Sequence, residues 1–378
     1  MRIAIMALFG ALTSTLTTTA ATRDAPAPDP KAAELVREMG LTEGGPLLRE
    51  REGWKKPAKI VLTPMGPTEA LQASAPGVQF VVVSGLDDMV REAADADAIA
   101  GIDNMICDER VITAAKRARW FAVYSAGNES CLGQPMQEME RRGIVLTNMR
   151  AVAGPVMAEH SIALAYALAR SLHLSVGRQA RGQGWSRNFA GSQPQALTGK
   201  TMFVVGLGGI GLEVAERAHA LGMKVIATRN SSREKPNFVS YVGLADELPD
   251  LLPQADVVVA ALPLTPATTN LFDAKMFARM KKTAYFINVG RGGSVVTDDL
   301  VKALNDGVIA GAGLDVTEPE PLPTDHPLWK AKNVIITPHM SAQSDLGGGS
   351  RAMIFREQLR RFVAGDRLLA VVDLKKGY

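Results

Sequence analysis

The chain has 378 residues, of which 47% are hydrophobic, so it is long enough for a substantial core and for more than one domain. Its 42 Lys and Arg residues nearly balance its 39 Asp and Glu residues, and no basic run carries interleaved aromatic side chains. The composition therefore argues against a nucleic-acid-binding protein and favours small-molecule partners. Cys107 and Cys131 have no CxxC pattern and no His-rich surroundings, so we expect buried free thiols, with neither a metal site nor a disulfide.

The first residues resemble a secretory signal peptide. Arg2 precedes the apolar stretch 3–12, and small residues follow as far as Ala21. Because this stretch is too short to span a membrane, we expect residues 1–21 to direct export to the periplasm or the medium, without a membrane anchor. The alternative is a disordered start in front of a cytoplasmic protein.

Residues 22–58 predict a proline-containing linker and an N-terminal extension with one short helix after Asp29. Short apolar and β-branched runs then alternate with helical segments, at residues 60–62, 79–83, 98–100, 119–124 and 144–147. This alternation predicts a parallel α/β sheet. The apolar segment 155–172 predicts a buried helix, on which we expect Glu159 and His160 to have capping and packing roles.

A strand, a glycine-rich turn, a helix and a second strand follow, and together they predict a dinucleotide-binding βαβ unit. Gly206 permits the tight turn, Gly208 lets backbone N–H groups approach a pyrophosphate, and Gly211 lets the helix pack closely on the strand. Gly209 and Ile210 complete the turn, where the helix N-terminus supplies partial positive charge. The glycine spacing alone would be weak evidence, and the flanking elements make it specific.

Four more strands are predicted, at residues 257–261, 284–289, 311–316 and 333–337. Ligands of such sheets bind at the carboxyl ends of the strands, where Arg291, Glu320 and His339 follow the last three. As a hydride adds to a carbonyl carbon, His339 could protonate the oxygen, Glu320 could stabilise the imidazolium, and Arg291 could hold a carboxylate. The alternative is an ordinary ion pair between Arg291 and Glu320 beside a strand-end histidine.

Segments 286–293, 313–322 and 333–339 resemble the three signatures of the D-isomer-specific 2-hydroxyacid dehydrogenases. The resemblance covers residues 59–378 and makes Arg291, Glu320 and His339 the catalytic residues. It implies two Rossmann-like α/β domains with doubly wound parallel sheets and an active site in the cleft between them. The dinucleotide-binding domain would span 151–338, the discontinuous substrate domain would comprise 59–150 and 339–378, and the protein would be a homodimer.

The resemblance also assigns binding residues. The substrate would contact Arg291, His339 and the loop Ala126, Gly127 and Asn128, although the family usually has an apolar residue in place of Asn128. This departure leaves the size and polarity of the substrate open. The cofactor would contact Leu262, Pro263, Thr268, Val289 and Gly290, and Asp315 would bind the nicotinamide carboxamide.

The end of the second strand of the βαβ unit bears on the cofactor. NAD enzymes place Asp or Glu there to bind the ribose 2′-hydroxyl, whereas this chain has Thr228, Arg229, Asn230 and Ser231, with Arg233 nearby. Arg229, Ser231 and Arg233 could bind a 2′-phosphate, so we expect NADP in preference to NAD. The alternative is a solvated basic loop.

The sequence therefore predicts an NAD(P)-dependent oxidoreductase that interconverts a small 2-keto acid and its D-2-hydroxy acid, similar to glyoxylate or hydroxypyruvate reductases. Because soluble nicotinamide cofactor is scarce outside the cytoplasm, an exported enzyme would have to retain its own. One alternative is a nicotinamide-sensing, corepressor-like binding protein on the same fold. Another is formate or phosphite oxidation, which would require a different substrate pocket.

Overall fold

The structure is a computed structural model that describes residues 26–185, 194–230, 232–345 and 347–378, without the side chains of residues 347 and 348. The predicted signal peptide, residues 1–21, and Ser231 lie outside the described residues.

The described strands alternate with helices along most of the chain. They are β1 (Glu43–Gly44), β2 (Lys59–Leu62), β3 (Gln79–Val82), β4 (Ala98–Gly101), β5 (Trp120–Val123), β6 (Val145–Thr147), β7 (Thr201–Val205), β8 (Lys224–Thr228), β9 (Tyr241–Gly243), β10 (Val257–Ala260), β11 (Tyr285–Asn288), β12 (Gly311–Leu314), β13 (Val334–Ile336) and β14 (Leu368–Leu369).

The described α-helices cover the faces of the sheets. They are α1 (Pro30–Glu38), α2 (Thr68–Ser74), α3 (Leu86–Ala93), α4 (Asp103–Ile106), α5 (Glu109–Ala114), α6 (Gln134–Arg142), α7 (Gly154–Ala169), α8 (Leu172–Ala180), α9 (Gly209–Ala220), α10 (Leu248–Leu251), α11 (Ala274–Arg279), α12 (Thr297–Asn305) and α13 (Gly347–Ala364). None of these described helices has the length and apolarity needed to cross a lipid bilayer.

Seven strands form one sheet, in the order β13-β12-β11-β10-β7-β8-β9, and every neighbouring pair is parallel. The order reverses direction at β7, which is the doubly wound arrangement of dinucleotide-binding folds. Buried side chains pack on both faces of the sheet, with α7 and α9 on one face and α10, α11 and α12 on the other. We call this part of the molecule the large lobe.

Five parallel strands form the second sheet, in the order β3-β2-β4-β5-β6, which is also doubly wound. The chain returns to this sheet near its end, where α13 packs Phe355 and Phe362 against Trp120. The extension joins the same part, because β1 pairs with β14 and α1 packs on α13. We call this part the small lobe. The predicted α/β fold class is confirmed, and the residue limits given above for the two domains stay a prediction.

The prediction of free thiols is wrong, because Cys107 and Cys131 form a disulfide bond. Cys107 follows α4 and Cys131 ends a short 3-10 turn, and these segments follow the adjacent parallel strands β4 and β5. The sheet thus brings together two cysteines that are 24 residues apart, with a Cα–Cα distance of 5.0 Å. The 24-residue separation of the two cysteines matches no sequence pattern that would predict this disulfide.

Two further elements differ from the sequence prediction. β9 adds an edge strand to the large sheet that was not among the predicted strands, and α8 forms a separate helix directly after the predicted helical segment 155–172. Within the described residues, no three His, Cys, Asp or Glu side chains are grouped as ligands for a metal ion.

Candidate active site

The glycine-rich turn lies between β7 and α9 and has the geometry that a dinucleotide requires. Gly206 has a φ of +97°, and a Cβ there would lie 2.7 Å from the carbonyl oxygen of Ala261. A side chain on Gly211 would overlap the carbonyl oxygen of Gly206, so only glycine permits this close packing of α9 on the turn. A Cβ on Gly208 would meet open space, which leaves room for a ligand at the N-terminus of α9.

A cavity of about 370 Å³ lies beside this turn at the carboxyl ends of β7 and β8; we call it the larger cavity. Many of the predicted cofactor-binding residues line it: Gly206, Gly208, Thr228, Arg229, Asn230, Leu262, Pro263 and Thr268. Ser232 and Tyr378 line it as well, although neither was predicted. These residues fit a dinucleotide, because Leu262 and Pro263 give the cavity an apolar wall and Arg229 gives it a basic end.

A cavity of about 150 Å³, which we call the smaller cavity, lies between the two lobes. The large lobe lines it with Gly209, Ile210, Val289, Gly290 and Arg291, all of which were predicted site residues. The small lobe lines it with the predicted loop Ala126, Gly127 and Asn128, and with Glu129, Arg150 and Tyr378, which the sequence did not single out as site residues. Arg291 thus faces the predicted substrate loop.

Arg291 makes an ion pair with Glu129. Its Nε lies 2.9 Å from Oε1 of Glu129, its Nη2 donates to Oε2 over 3.5 Å, and its Nη1 donates to the carbonyl oxygen of Gly290 over 2.8 Å. The alternative from the sequence, an ion pair of Arg291 with Glu320, is not what the structure shows. The sequence feature that could have pointed to Glu129 is its position two residues after Gly127 of the predicted substrate loop.

Glu320 pairs with His339 instead. The imidazole Nδ1 lies 2.5 Å from Oε1 of the carboxylate, and this contact fixes the ring while leaving Nε2 for another partner. The side chain of His339 is 46% exposed and that of Glu320 is 39% exposed. Neither of them lines the larger or the smaller cavity. Arg291, Glu320 and His339 follow the neighbouring strands β11, β12 and β13, so all three lie at the same edge of the large sheet.

Asp315, at the end of β12, is 1% exposed and holds the segment that carries His339. Its carboxylate accepts hydrogen bonds from the Thr337 hydroxyl at 2.7 Å and from the backbone N–H groups of Met340 and Ser341 at 2.9 and 3.0 Å. Burial opposes the charge, but the hydrogen bonds outweigh burial and hold the pKa of the Asp315 carboxyl below its ordinary value. The geometry gives Asp315 a positioning role, and its predicted contact with nicotinamide stays a prediction.

Asn128 lines the smaller cavity, but its amide is engaged within the small lobe. Its Nδ2 donates to the carbonyl oxygen of Gly377 over 3.0 Å, and its Oδ1 accepts from Nδ2 of Asn148 over 2.9 Å. The side chain is buried. The departure from the family pattern at this position therefore tethers the end of the chain to the loop, and it adds little polarity to the pocket.

Of the three residues expected to bind a 2′-phosphate, the described residues place only Arg229 in the larger cavity. Its Nε donates to the carbonyl oxygen of Leu207 over 3.1 Å. Arg233 instead pairs with Glu247 and donates to the Tyr241 hydroxyl. Hydrogen bonds from Leu244, Tyr241 and Arg233 lower the pKa of Glu247 to about 2, so Glu247 is charged at neutral pH and retains Arg233.

Comparisons with known proteins bear on this geometry. The family model for the NAD binding domain of D-isomer specific 2-hydroxyacid dehydrogenases matches residues 162–341. A glyoxylate reductase of Korarchaeum cryptofilum is 34% identical over 286 residues, which cover 74% of this chain and 83% of the relative.

Solved structures agree in fold. A D-isomer specific 2-hydroxyacid dehydrogenase family protein of Aeromonas salmonicida matches with a TM-score of 0.70 and 30% identity, over 84% of this chain and 99% of that one. A D-isomer specific 2-hydroxyacid dehydrogenase of Xanthobacter autotrophicus, solved with NADPH and MES, matches with a TM-score of 0.70 and 25% identity, over 86% of this chain and all of that one.

Proposed function

Because the chain belongs to the D-isomer specific 2-hydroxyacid dehydrogenase family, we propose that it reduces a small 2-keto acid of the glyoxylate or hydroxypyruvate type with NADPH. Membership of the family makes it an NAD(P)-dependent oxidoreductase that acts between a 2-keto acid and a D-2-hydroxy acid. The observation that carries the proposal is the His339–Glu320 pair: Glu320 follows β12, which lies between β13, the strand before His339, and β11, the strand before Arg291.

When bound, NADPH supplies the hydride. Arg291 binds the carboxylate of the keto acid and withdraws electron density from the neighbouring carbonyl. His339 donates a proton from Nε2 to the carbonyl oxygen as negative charge develops there, while Glu320 holds Nδ1 and stabilises the charged ring. In the oxidative direction, His339 removes the same proton.

Residues of both lobes can hold the dinucleotide. The backbone N–H groups at the N-terminus of α9 would bind the pyrophosphate, and Arg229 and Asn230, which line the larger cavity, would bind a ribose 2′-phosphate. Arg150 lines the smaller cavity together with Gly208 and Gly209. No ion pair joins Arg150 to an acidic side chain of the described residues, and burial lowers the pKa of its guanidinium. We assign it to the pyrophosphate as a cationic partner.

Replacing His339 tests the mechanism. We expect His339→Asn to lower kcat for glyoxylate reduction by at least about 100-fold, because the proton donor is lost. NADPH affinity, measured by fluorescence titration, should stay within about twofold, since His339 lines neither cavity. A wild-type protein that binds NADPH but turns over no member of a panel of glyoxylate, hydroxypyruvate and pyruvate would instead support a nicotinamide-sensing binding protein.

Cofactor choice is tested by comparing kcat/KM for NADPH and NADH with one keto acid. We expect NADPH to be preferred, because the end of β8 carries Arg229 in place of a carboxylate. Arg229→Ala should raise KM for NADPH by about tenfold and leave KM for NADH nearly unchanged. A clear NADH preference in the wild type would contradict the assignment.

We also propose that the protein is a homodimer. α8 has no buried residue, and its Leu172 and Val176 are 52% and 63% exposed. Exposed apolar side chains on one helix support burial against a second copy. We expect light scattering to give twice the chain mass, and Leu172→Glu with Val176→Glu to give monomers. A wild-type monomer at micromolar concentration would exclude the proposal.

We also propose that the protein is exported to the periplasm or the medium. The Cys107–Cys131 disulfide supports it, because such bonds persist in oxidising compartments and are rare in the cytoplasm. We expect the mature protein, isolated from the periplasm or the medium, to begin after residue 21 and to contain the Cys107–Cys131 cross-linked peptide. Recovery of a chain that retains its first 20 residues from the soluble cytoplasm would argue for the cytoplasmic alternative.

A further inference from the structure

Glu129 occupies a place that the proposed mechanism does not use. The mechanism assigns Arg291 to the carboxylate of the substrate, yet Arg291 already binds a carboxylate of its own chain. Both side chains line the smaller cavity, where Arg150 contributes the other charged side chain among the described residues. Any substrate that reaches Arg291 therefore also meets Glu129.

The hydrogen bonds of Arg291 leave a defined part of the guanidinium for a ligand. A guanidinium has five N–H groups, one on Nε and two on each terminal nitrogen. Nη2 donates one N–H to Glu129 and Nη1 donates one to the carbonyl oxygen of Gly290, while Nε lies 2.9 Å from the Glu129 carboxylate as part of the ion pair. Each terminal nitrogen has a second N–H with no partner among the described residues, so both nitrogens can still donate to a second carboxylate.

The loop that carries Glu129 is anchored on both sides. Asn128 is tied to Gly377 and Asn148, the backbone N–H of Ser130 donates to Asp103 over 3.2 Å, and Cys131 is cross-linked to Cys107. A side chain on Gly127 would overlap both Arg291 and Glu129, so glycine at this position makes room for the ion pair. Glu129 is thus held in place, unlike one partner of a mobile surface ion pair.

We propose that Glu129 is a specificity-determining residue: it orients Arg291 through the Nε side and makes the pocket favour 2-keto acids with one carboxylate over those with two. The inference rests on the proposed reduction of 2-keto acids. The carboxylate shared by all substrates binds the remaining N–H groups of the two terminal nitrogens of Arg291. A second carboxylate, in a cavity of about 150 Å³, would lie close to the fixed negative charge of Glu129 and would be repelled.

The test compares kcat/KM for oxaloacetate with kcat/KM for pyruvate, two keto acids that differ by one carboxylate. In the wild type we expect the value for oxaloacetate to be at least about tenfold lower. We expect Glu129→Gln, which keeps the shape and removes the charge, to raise the ratio of oxaloacetate to pyruvate by about tenfold. Glu129→Asp should lower kcat/KM for both acids and leave their ratio near the wild-type value.

Glu138→Gln is the matched control, because it removes the carboxylate of an exposed Glu–Arg pair, that of Glu138 with Arg141, in the same lobe. It should change neither kcat/KM value. An unchanged ratio in Glu129→Gln, or a wild-type preference for oxaloacetate, would overturn the role of Glu129 while leaving the proposed reaction intact. The wild-type measurement does not depend on the folding of any variant. Absence of turnover with every keto acid would instead remove the proposed function.

Discussion

The candidate active site depends on one buried carboxylate. Asp315 leaves the end of β12 and binds two backbone N–H groups and one hydroxyl of the segment that follows β13. A charge buried to this extent is stable only when hydrogen bonds satisfy it, so the segment cannot move away without exposing an unpaired anion. His339 lies in that segment and has a φ of +50°, a conformation that a non-glycine residue adopts only where its surroundings impose it. The imidazole therefore has a fixed position from which Glu320 orients its ring.

The sequence predicted the parallel α/β sheets and the positions of Arg291, Glu320 and His339 after strands, because both follow from local patterns. Alternating apolar runs and helical spacing define parallel α/β units, and the carboxyl ends of neighbouring parallel strands lie at one edge. Arg291, Glu320 and His339 could therefore be expected to lie near each other although the chain separates them by up to 48 residues. The glycine turn was also predictable from a local pattern. The positive φ of Gly206 and the close packing at Gly211 exclude other residues at these two positions.

What the sequence did not predict depends on contacts between distant segments. The Cys107–Cys131 bond forms because β4 and β5 are adjacent, and nothing in the 24-residue spacing shows this. The sequence indicated Arg233 as a phosphate ligand, whereas in the structure Arg233 forms an ion pair with Glu247. Glu129 and Tyr378 reach the cavities through loop geometry and the return of the chain end, which no periodicity encodes. Helix α8 was missed because its exposed residues lack the buried stripe that marks most helices.

The pairing of β1 with β14 joins residues more than 300 positions apart and ties the extension to the final helix. Trp120 and Tyr124, in the middle of the small lobe, acquire Phe355 as a neighbour only when α13 arrives. Since α13 follows the seven-stranded sheet in the chain, the ribosome makes the whole large sheet before the helix that covers Trp120 and Tyr124 of the small lobe. The small lobe therefore cannot complete its core until the end of the chain has been synthesised.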